Sequence, residues 1–270
     1  MIKLFIIILN FNGGRDIIEC LNSLKKERAK IVVVDNGSSD NSLAMIKKNF
    51  PKVKIIENNK NLGFAGGNNI GICYAFKRNA DAVMLLNQDS VAEKSFLEPL
   101  LKNPADVVGP VIKFKRGKRW LYDYGGKINW LIGRTSHQES LVYFNNDFLP
   151  KKLDFQEPDY ISGCAMLIKR PVFREVGLLD ERFFLYFEDA DFCLRAKRAG
   201  FKIAIELKSM IFHSLDKEER KSLFHVYHLL RSNLIFINRY ISFWKKPLAY
   251  LYWWTFSIKV LLMRLLWSLL

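Results

Sequence analysis

Three observations in the 270-residue sequence predict an α/β fold: a mixed, mostly parallel sheet with helices on both faces, plus a helical segment at the C-terminus. Short apolar runs recur through the first 110 residues. Segments with helical spacing lie between them. At 50% hydrophobic, the chain is large enough to bury one α/β core and to carry a short appendage. Such runs suit buried parallel strands, which are apolar on both faces because helices cover both.

The runs at residues 3–9, 31–34, 53–57, 82–86 and 106–112 read as the first five strands. Ile17, Ile18, Leu21 and Leu24 mark a helix after the first strand. Asp40 reads as the N-cap of a second helix starting near Asn41. From 113 to 155 the pattern weakens. Residues 113–119 are basic and read as a solvated hairpin. Residues 120–144 mix aromatic and β-branched residues with paired glycines, which suits short antiparallel strands or a mobile flap. Residues 161–168 read as a buried strand, followed by a helix with Pro171 at its start. Residues 188–198 read as a helix, with acids at its start, bases near its end and Gly200 as its C-cap. Residues 202–205 and 210–212 read as short strands, and His213 ends the second.

There is no internal repeat. Cys20, Cys73, Cys164 and Cys193 are scattered through apolar segments with no C-x-x-C pair. They read as buried thiols in a reducing compartment, not as a disulfide framework or a zinc site. The apolar run at 4–9 is too short for the core of a signal peptide. Net charge is +15, and residues 201–270 hold 11 basic against 4 acidic groups among many Trp, Tyr, Phe and Leu. Basic residues mixed with aromatic and aliphatic ones suit an anionic lipid surface. No recognition-helix or zinc-finger pattern accompanies the charge, which argues against nucleic acid.

In open α/β sheets ligands bind beyond the carboxyl ends of the strands. Four polar clusters fall there: Asn10-Phe11-Asn12-Gly13-Gly14, Asp35-Asn36-Gly37-Ser38-Ser39-Asp40, residues 61–69, and Asn87-Gln88-Asp89. Each is also ordinary turn chemistry. Four on one edge of one sheet point to a site.

These stretches, with Glu188-Asp189-Ala190-Asp191-Phe192-Cys193-Leu194-Arg195, resemble family 2 glycosyltransferases over residues 3–240. The form Asn61-Leu62-Gly63-Phe64-Ala65-Gly66-Gly67-Asn68-Asn69 is most similar to the rhamnosyltransferase-like branch. The resemblance implies a GT-A (Rossmann-like) fold. It implies inverting transfer of a sugar, such as rhamnose, from a nucleotide-diphosphate sugar to a hydroxyl of a glycan or polyprenyl-linked acceptor in cell-surface polysaccharide synthesis. It also implies that Asp35 holds the base or ribose, that Asp189 is the general base, and that a histidine at the place of His213 binds metal.

The candidate substrate contacts are Asn10, Asn12, Asp35, Asn36, Gly66, Gly67, Asn68, Asn87 and Glu188. The glycines would let backbone approach the donor closely, and the stretch lacks the P-loop lysine pattern. Asp89 reads as the first ligand of a divalent metal, Mg²⁺ or Mn²⁺. Such ions take oxygen ligands and keep positions open for phosphate. The family's Asp-x-Asp motif stands here as Asn87-Gln88-Asp89, so its first carboxylate is missing. His213 is the second candidate ligand, whereas His137, His225 and His228 have no comparable context. Asp189 reads as the general base, its pKa raised by the aromatic run at 183–187 and by Glu188 and Asp191. Asp191 reads as a helix-start acid pairing with Arg195 four residues on. One base and no dedicated nucleophile point to a single displacement.

Two other functions fit part of the pattern. A sugar-phosphate nucleotidyltransferase would carry Arg and Lys in a Gly-rich loop after the first strand, where Arg15 is the only base. A catalytically inactive, membrane-associated nucleotide-sugar-binding protein would account for the missing aspartate.

Residues 1–240 are read as the transferase domain and 241–270 as a hydrophobic, basic and aromatic helix. The stretch 247–270 is long enough to span a bilayer. However, Lys259 and Arg264 would each cost about 2.5–3.5 kcal/mol at the centre of a span. With Lys245 and Lys246 at its head, it reads as a helix lying in the interface. That places the protein at the cytoplasmic face of the cell membrane, peripheral or interfacially anchored. Packing on the protein itself or in an oligomer is the other arrangement.

Overall fold

The computed structural model describes residues 2–141, 157–214 and 222–268. Strands β1 (Leu4–Asn10), β2 (Lys30–Asp35), β3 (Lys54–Glu57) and β4 (Ala82–Asn87) pair in parallel at one side of a ten-stranded sheet. Side chains alternate along β1. Phe5 and Ile7 enter one core, while Leu4, Ile6 and Ile8 enter the other. Helix α1 (Asp16–Ser23) closes the second core with Ile17, Cys20 and Leu21. Helix α2 (Ser42–Asn49) adds Ile46 to it. The N-cap of α2 is Asn41 instead of the expected Asp40; the Asp40 carboxylate, one residue earlier, accepts from Ser42 N (3.1 Å) and from Gly14 N (2.9 Å), tying the second loop to the first.

Beyond β4 the sheet is mixed, in the order β3-β2-β1-β4-β9-β6-β10-β5. Strand β5 (Ser90–Ala92) follows β4 directly, and helix α4 (Leu97–Lys102) leads on to β6 (Val107–Arg116). Strand β9 (Ala165–Lys169) runs antiparallel between β4 and β6. Strand β10 (Ile203–His213) is parallel to β6 and antiparallel to β5. Strands β1 to β4, β6 and β10 share one direction, so the expected mixed, mostly parallel sheet is present. Strands β7 (Arg119–Asn129) and β8 (Arg134–Ser140) extend β6 as an antiparallel ribbon. The basic stretch at 113–119 is the expected hairpin: it ends β6, turns at 117–118 and starts β7, exposed from Lys115 onward with Phe114 buried. Residues 142–155 of the weak-pattern region lie outside the described residues.

Four other expectations change. The Gly-rich stretch, expected as turn chemistry at a strand end, is helical from Gly63 onward, in α3 (Gly63–Phe76). Glycine is a poor helix former, but here it permits contact between helix and sheet. A Cβ on Gly67 would lie 2.3 Å from Leu9 Cδ1. The strand expected at 161–168 begins only at Ala165, because Gly163 and Cys164 turn the chain. The two strands expected at 202–213 are one strand, β10, irregular between Glu206 and Met210. Cys73 is exposed, while the other three cysteines are buried free thiols.

Helix α5 (Arg170–Val176) carries its proline in the first turn. Helix α6 (Glu188–Arg198) has the expected bounds, and Gly200 follows it at φ +88°. Helices α7 (Leu223–Tyr240) and α8 (Lys246–Ser268) pack on one another. Ala249 is buried with Ile237 and Ile241, and Trp253 Nε1 donates to Leu230 O at 2.9 Å. The Arg134 guanidinium lies 4.1 Å from the Phe256 ring centre. The other side of α8 is uncovered. Leu248, Leu251, Trp254, Ile258, Leu261 and Leu262 form an exposed apolar stripe, headed by Trp244 at 88% exposure. Among the described residues, no helix is long and apolar enough to cross a membrane.

Candidate functional site

The carboxyl ends of β1, β2 and β4 meet along one edge of the sheet, and polar side chains knit their loops together. Asn10 is fully buried, and its Nδ2 lies 2.7 Å from Asp35 Oδ1 and 3.0 Å from both Ser38 Oγ and Ser42 Oγ. Asp35 Oδ2 accepts from Ser38 N at 3.1 Å. Asn12 takes a left-handed conformation (φ +50°) and accepts from Ser39 N at 2.8 Å. Gln88 locks the first loop to the fourth, accepting from Phe11 N (2.8 Å) and donating to Phe11 O (3.1 Å).

Some candidate contacts are used up by the fold. Asn36 donates to Asn61 Oδ1 and Gly63 O, and it accepts from Asn58 Nδ2 and Leu62 N. It is a strut between β2 and the start of α3. Gly66, Gly67 and Asn68 are buried within α3, and Asn68 donates to Phe64 O in its own helix. Close helix–sheet packing, not approach to a ligand, accounts for Gly67. Asp35, Asn10, Asn12 and Asn87 stay on the site edge.

Asp89 and His213 converge from β4 and β10. Asp89 Oδ1 is 3.1 Å from His213 Nε2, and Asp89 O accepts from Ser214 N at 3.0 Å. Burial disfavours the His213 cation, but the Cys164 and Asp89 side chains beside it outweigh that, and its pKa is pushed up to about 10. A metal here would have to displace the His213 proton; one carboxylate oxygen and the freed imidazole nitrogen at this spacing would then suit a divalent cation that keeps positions open for phosphate oxygens. Among the described residues no group of three His, Cys, Asp or Glu forms a full metal cluster.

The acids of α6 separate by environment. The helix follows Tyr186 and Phe187, both at positive φ (68° and 69°), a strained entry of the kind found at functional sites. Glu188 is 5% exposed and its Oε2 has no hydrogen-bond partner. Burial, then the charges of Asp189 and Asp191, holds its carboxyl well above the usual range. Asp189 is partly exposed, with Oδ2 accepting from Gly163 N at 3.0 Å and Oδ1 from Ala190 N at 2.7 Å. Burial raises its pKa, while those two N–H groups and His137 act to lower it. Asp191 turns the other way. It is fully buried and bonds Arg195 Nε (2.8 Å), as expected, and also Tyr240 Oη (2.6 Å) and Arg239 Nη1 (2.9 Å). It therefore serves the fold, and of the expected causes of a raised Asp189 pKa, burial is the largest.

Two consecutive residues join the candidate base to the candidate metal ligands. Gly163 N binds Asp189, and Cys164 O accepts from Asn87 N at 2.9 Å while its Sγ lies 3.3 Å from Ser90 Oγ. Sequence reasoning missed Gly163, Gln88 and the partners of His137. A turn glycine and a glutamine inside a motif carry little signal, and His137 lies on β8, where the pattern was weakest.

Comparison with known proteins agrees with this geometry. The profile described as Glycosyl transferase family 2 matches residues 5–177. The low-salt glycan biosynthesis hexosyltransferase Agl10 of Haloferax volcanii is 27% identical over 268 residues, 95% of this chain and 81% of that protein. The N-acetylglucosaminyl-diphospho-decaprenol L-rhamnosyltransferase of Mycobacterium tuberculosis is 25% identical, covering 84% of this chain and 81% of that protein. Among solved structures, GalNAc-T7 with UDP, GalNAc and Mn²⁺ superposes with a TM-score of 0.66 at 18% identity, over 88% of this chain and 48% of that one. The mannosyltransferase PcManGT from Pyrobaculum calidifontis, in complex with GDP-Man and Mn²⁺, gives 0.59 at 14% identity, over 98% and 74%. At these identities the structures establish the shared GT-A fold.

Proposed function

Because the chain belongs to glycosyl transferase family 2, we propose that it moves a sugar, with rhamnose the leading candidate, from a nucleotide-diphosphate sugar to a hydroxyl of a lipid-linked glycan, with inversion. The observation that carries this is the convergence of Asp89, His213 and Asp189 around Gly163 and Cys164. Asp35 and Asn10 lie where a nucleoside would rest on the carboxyl ends of β1 and β2, with Asn12 and Asn87 beside them. Asp189 takes the proton of the acceptor hydroxyl as that oxygen attacks the sugar, and the nucleoside diphosphate leaves from the opposite side. Burial raises the Asp189 pKa toward a value useful for a base. Glu188, held toward its protonated form beside Asp189, would meet the acceptor as a hydrogen-bond donor. Mg²⁺ or Mn²⁺ held by Asp89 and His213 would neutralise charge on the leaving diphosphate. The mycobacterial relative named for a diphospho-decaprenol acceptor supports the lipid-linked choice.

The membrane surface is the partner we assign to segment 241–270, beside a transferase unit at 1–240. The uncovered stripe of α8 and the exposed Phe243 and Trp244 stand next to Lys245 and Lys246, the mixture that favours an anionic lipid interface. A cytoplasmic-face, peripheral location follows for an enzyme that meets nucleotide sugars in solution and acceptors in lipid. The test combines a nucleotide-sugar panel with a polyprenyl-diphosphate-linked acceptor, scoring nucleoside diphosphate release and product anomer. We expect the inverted anomer, and Asp189→Asn should abolish transfer while donor binding survives. A product that keeps the donor's configuration, or normal turnover by Asp189→Asn, overturns the mechanism.

A further inference from the structure

His137 lies on β8 opposite Gly126 of β7. Its Nδ1 is 2.7 Å from Asp123 Oδ2. Asp123 is 6% exposed, and its Oδ1 accepts from Gly125 N at 2.9 Å, so the acidic half of the pair is fixed. The Tyr160 ring packs edge-on to the imidazole with centroids 5.7 Å apart, and its Oη is 3.5 Å from Nε2. Gly126 makes room for that ring: a Cβ there would sit 1.9 Å from it. Three residues beyond Tyr160, Gly163 N holds Asp189. The short segment 160–163 therefore carries His137 on one flank and Asp189 on the other. The His137 side chain is 39% exposed, so it does not fill the core.

We propose that the Asp123–His137 pair is the cationic partner of the general base, keeping Asp189 ionised and its charge positioned for the acceptor hydroxyl. This rests on the reading of Asp189 as the base and makes His137 a positioning residue. The surroundings of both groups support it. His137 faces Asp123 from β7, Tyr160, Glu139 on its own strand and Asp189 from α6; Glu139 is itself bonded to Arg116 at 2.8 Å. Burial opposes the His137 cation, but Asp123, Asp189 and Glu139 together raise its pKa above the usual histidine value. Asp189 faces Glu188 and Cys193 on α6, Tyr160, and the N–H groups of Gly163 and Ala190; His137 lowers its pKa. Each charge thus favours the other, and the coupling must be reciprocal.

Reciprocity allows a test that needs no substrate. The full-length chain has four histidines. With ¹³C-labelled histidine, their ring resonances can be titrated by NMR, and loss of one signal in His137→Gln assigns it. The His137 midpoint should fall by about one pH unit in Asp189→Asn, the size expected for loss of one nearby charge. It should fall further in Asp123→Asn. A midpoint unmoved by Asp189→Asn overturns the proposal. In the transfer assay, the acid limb of kcat for His137→Gln should move to higher pH by a similar amount, whereas a merely structural role would lower kcat at every pH. The two readings fail separately. Turnover by Asp189→Asn would remove the base but leave the charge coupling measured; an unmoved His137 would remove the coupling but leave the base.

Discussion

Asp189 and Asp191 stand two residues apart in α6, and replacing them should have opposite consequences. Asp191 is fully buried; it accepts hydrogen bonds from Arg195 Nε at 2.8 Å and Tyr240 Oη at 2.6 Å and forms an ion pair with Arg239 Nη1 at 2.9 Å. In Asp191→Ala those donors lose their acceptor. Arg195 keeps the carbonyls of Val176 and Leu178, and Arg239 keeps Asp180. Tyr240 Oη has no other bonded acceptor among those described. Removing one side of a buried charge pair costs about 3–5 kcal/mol, a large part of the roughly 5–15 kcal/mol that holds a domain folded. In urea the unfolding midpoint should drop by about 1–2 M. Asp191→Asn keeps the shape and one acceptor oxygen, so it should lose less. Asp189→Asn should behave the other way. Burial raises the folded-state pKa of Asp189, so its ionisation costs stability. That cost is absent below the unfolded-state pKa and complete above the folded-state value. At pH 7 the neutral asparagine, which can still accept from Gly163, should leave the midpoint unchanged or raise it. A wild-type midpoint for Asp191→Ala, or a fall of several kcal/mol in Asp189→Asn, would refute this division between a structural and a catalytic acid.

Three further outcomes follow from the same contacts. Gly67→Ala should destabilise by about 1–3 kcal/mol, because its Cβ meets Leu9 Cδ1 at 2.3 Å and the α3–β1 contact is already full; a neutral result in urea denaturation would show that α3 can shift away freely. Asp89→Ala and His213→Ala should each weaken Mg²⁺- or Mn²⁺-dependent donor binding in calorimetry, while metal-free binding changes little; equal metal dependence in wild type and variants would reject both ligands. Leu251→Ser with Trp254→Ser should lower flotation with anionic liposomes and leave nucleotide-sugar binding intact, because both side chains lie on the uncovered face of α8. Unchanged flotation, with a dimer lost in sedimentation instead, would assign that face to a second copy of the chain.

The sequence by itself determined the parts that rest on local periodicity and local chemistry. Apolar runs marked β1 to β4 because both faces of a parallel sheet are buried. The acids, bases and glycine around residues 188–200 marked α6 to the residue. Polar clusters at strand ends located the site edge, since turns and ligand sites of such sheets coincide there. Asp89, His213 and Asp189 were legible as candidates because their types and order carry the family pattern. Tertiary structure decided what depends on distance through space. Gly66 and Gly67 look like turn residues in sequence, yet they lie within α3, where the absence of a side chain at Gly67 admits Leu9, as packing overrides propensity. Asn36 looked like a substrate contact until four hydrogen bonds consumed it. Asp191 and Asp189 are indistinguishable as letters, and only the placement of Arg239 and Tyr240 from α7 separates them. His137 had no local pattern at all. Its meaning comes from Asp123, fourteen residues earlier in the chain, and from Asp189, more than fifty residues later; the fold alone brings these charges together.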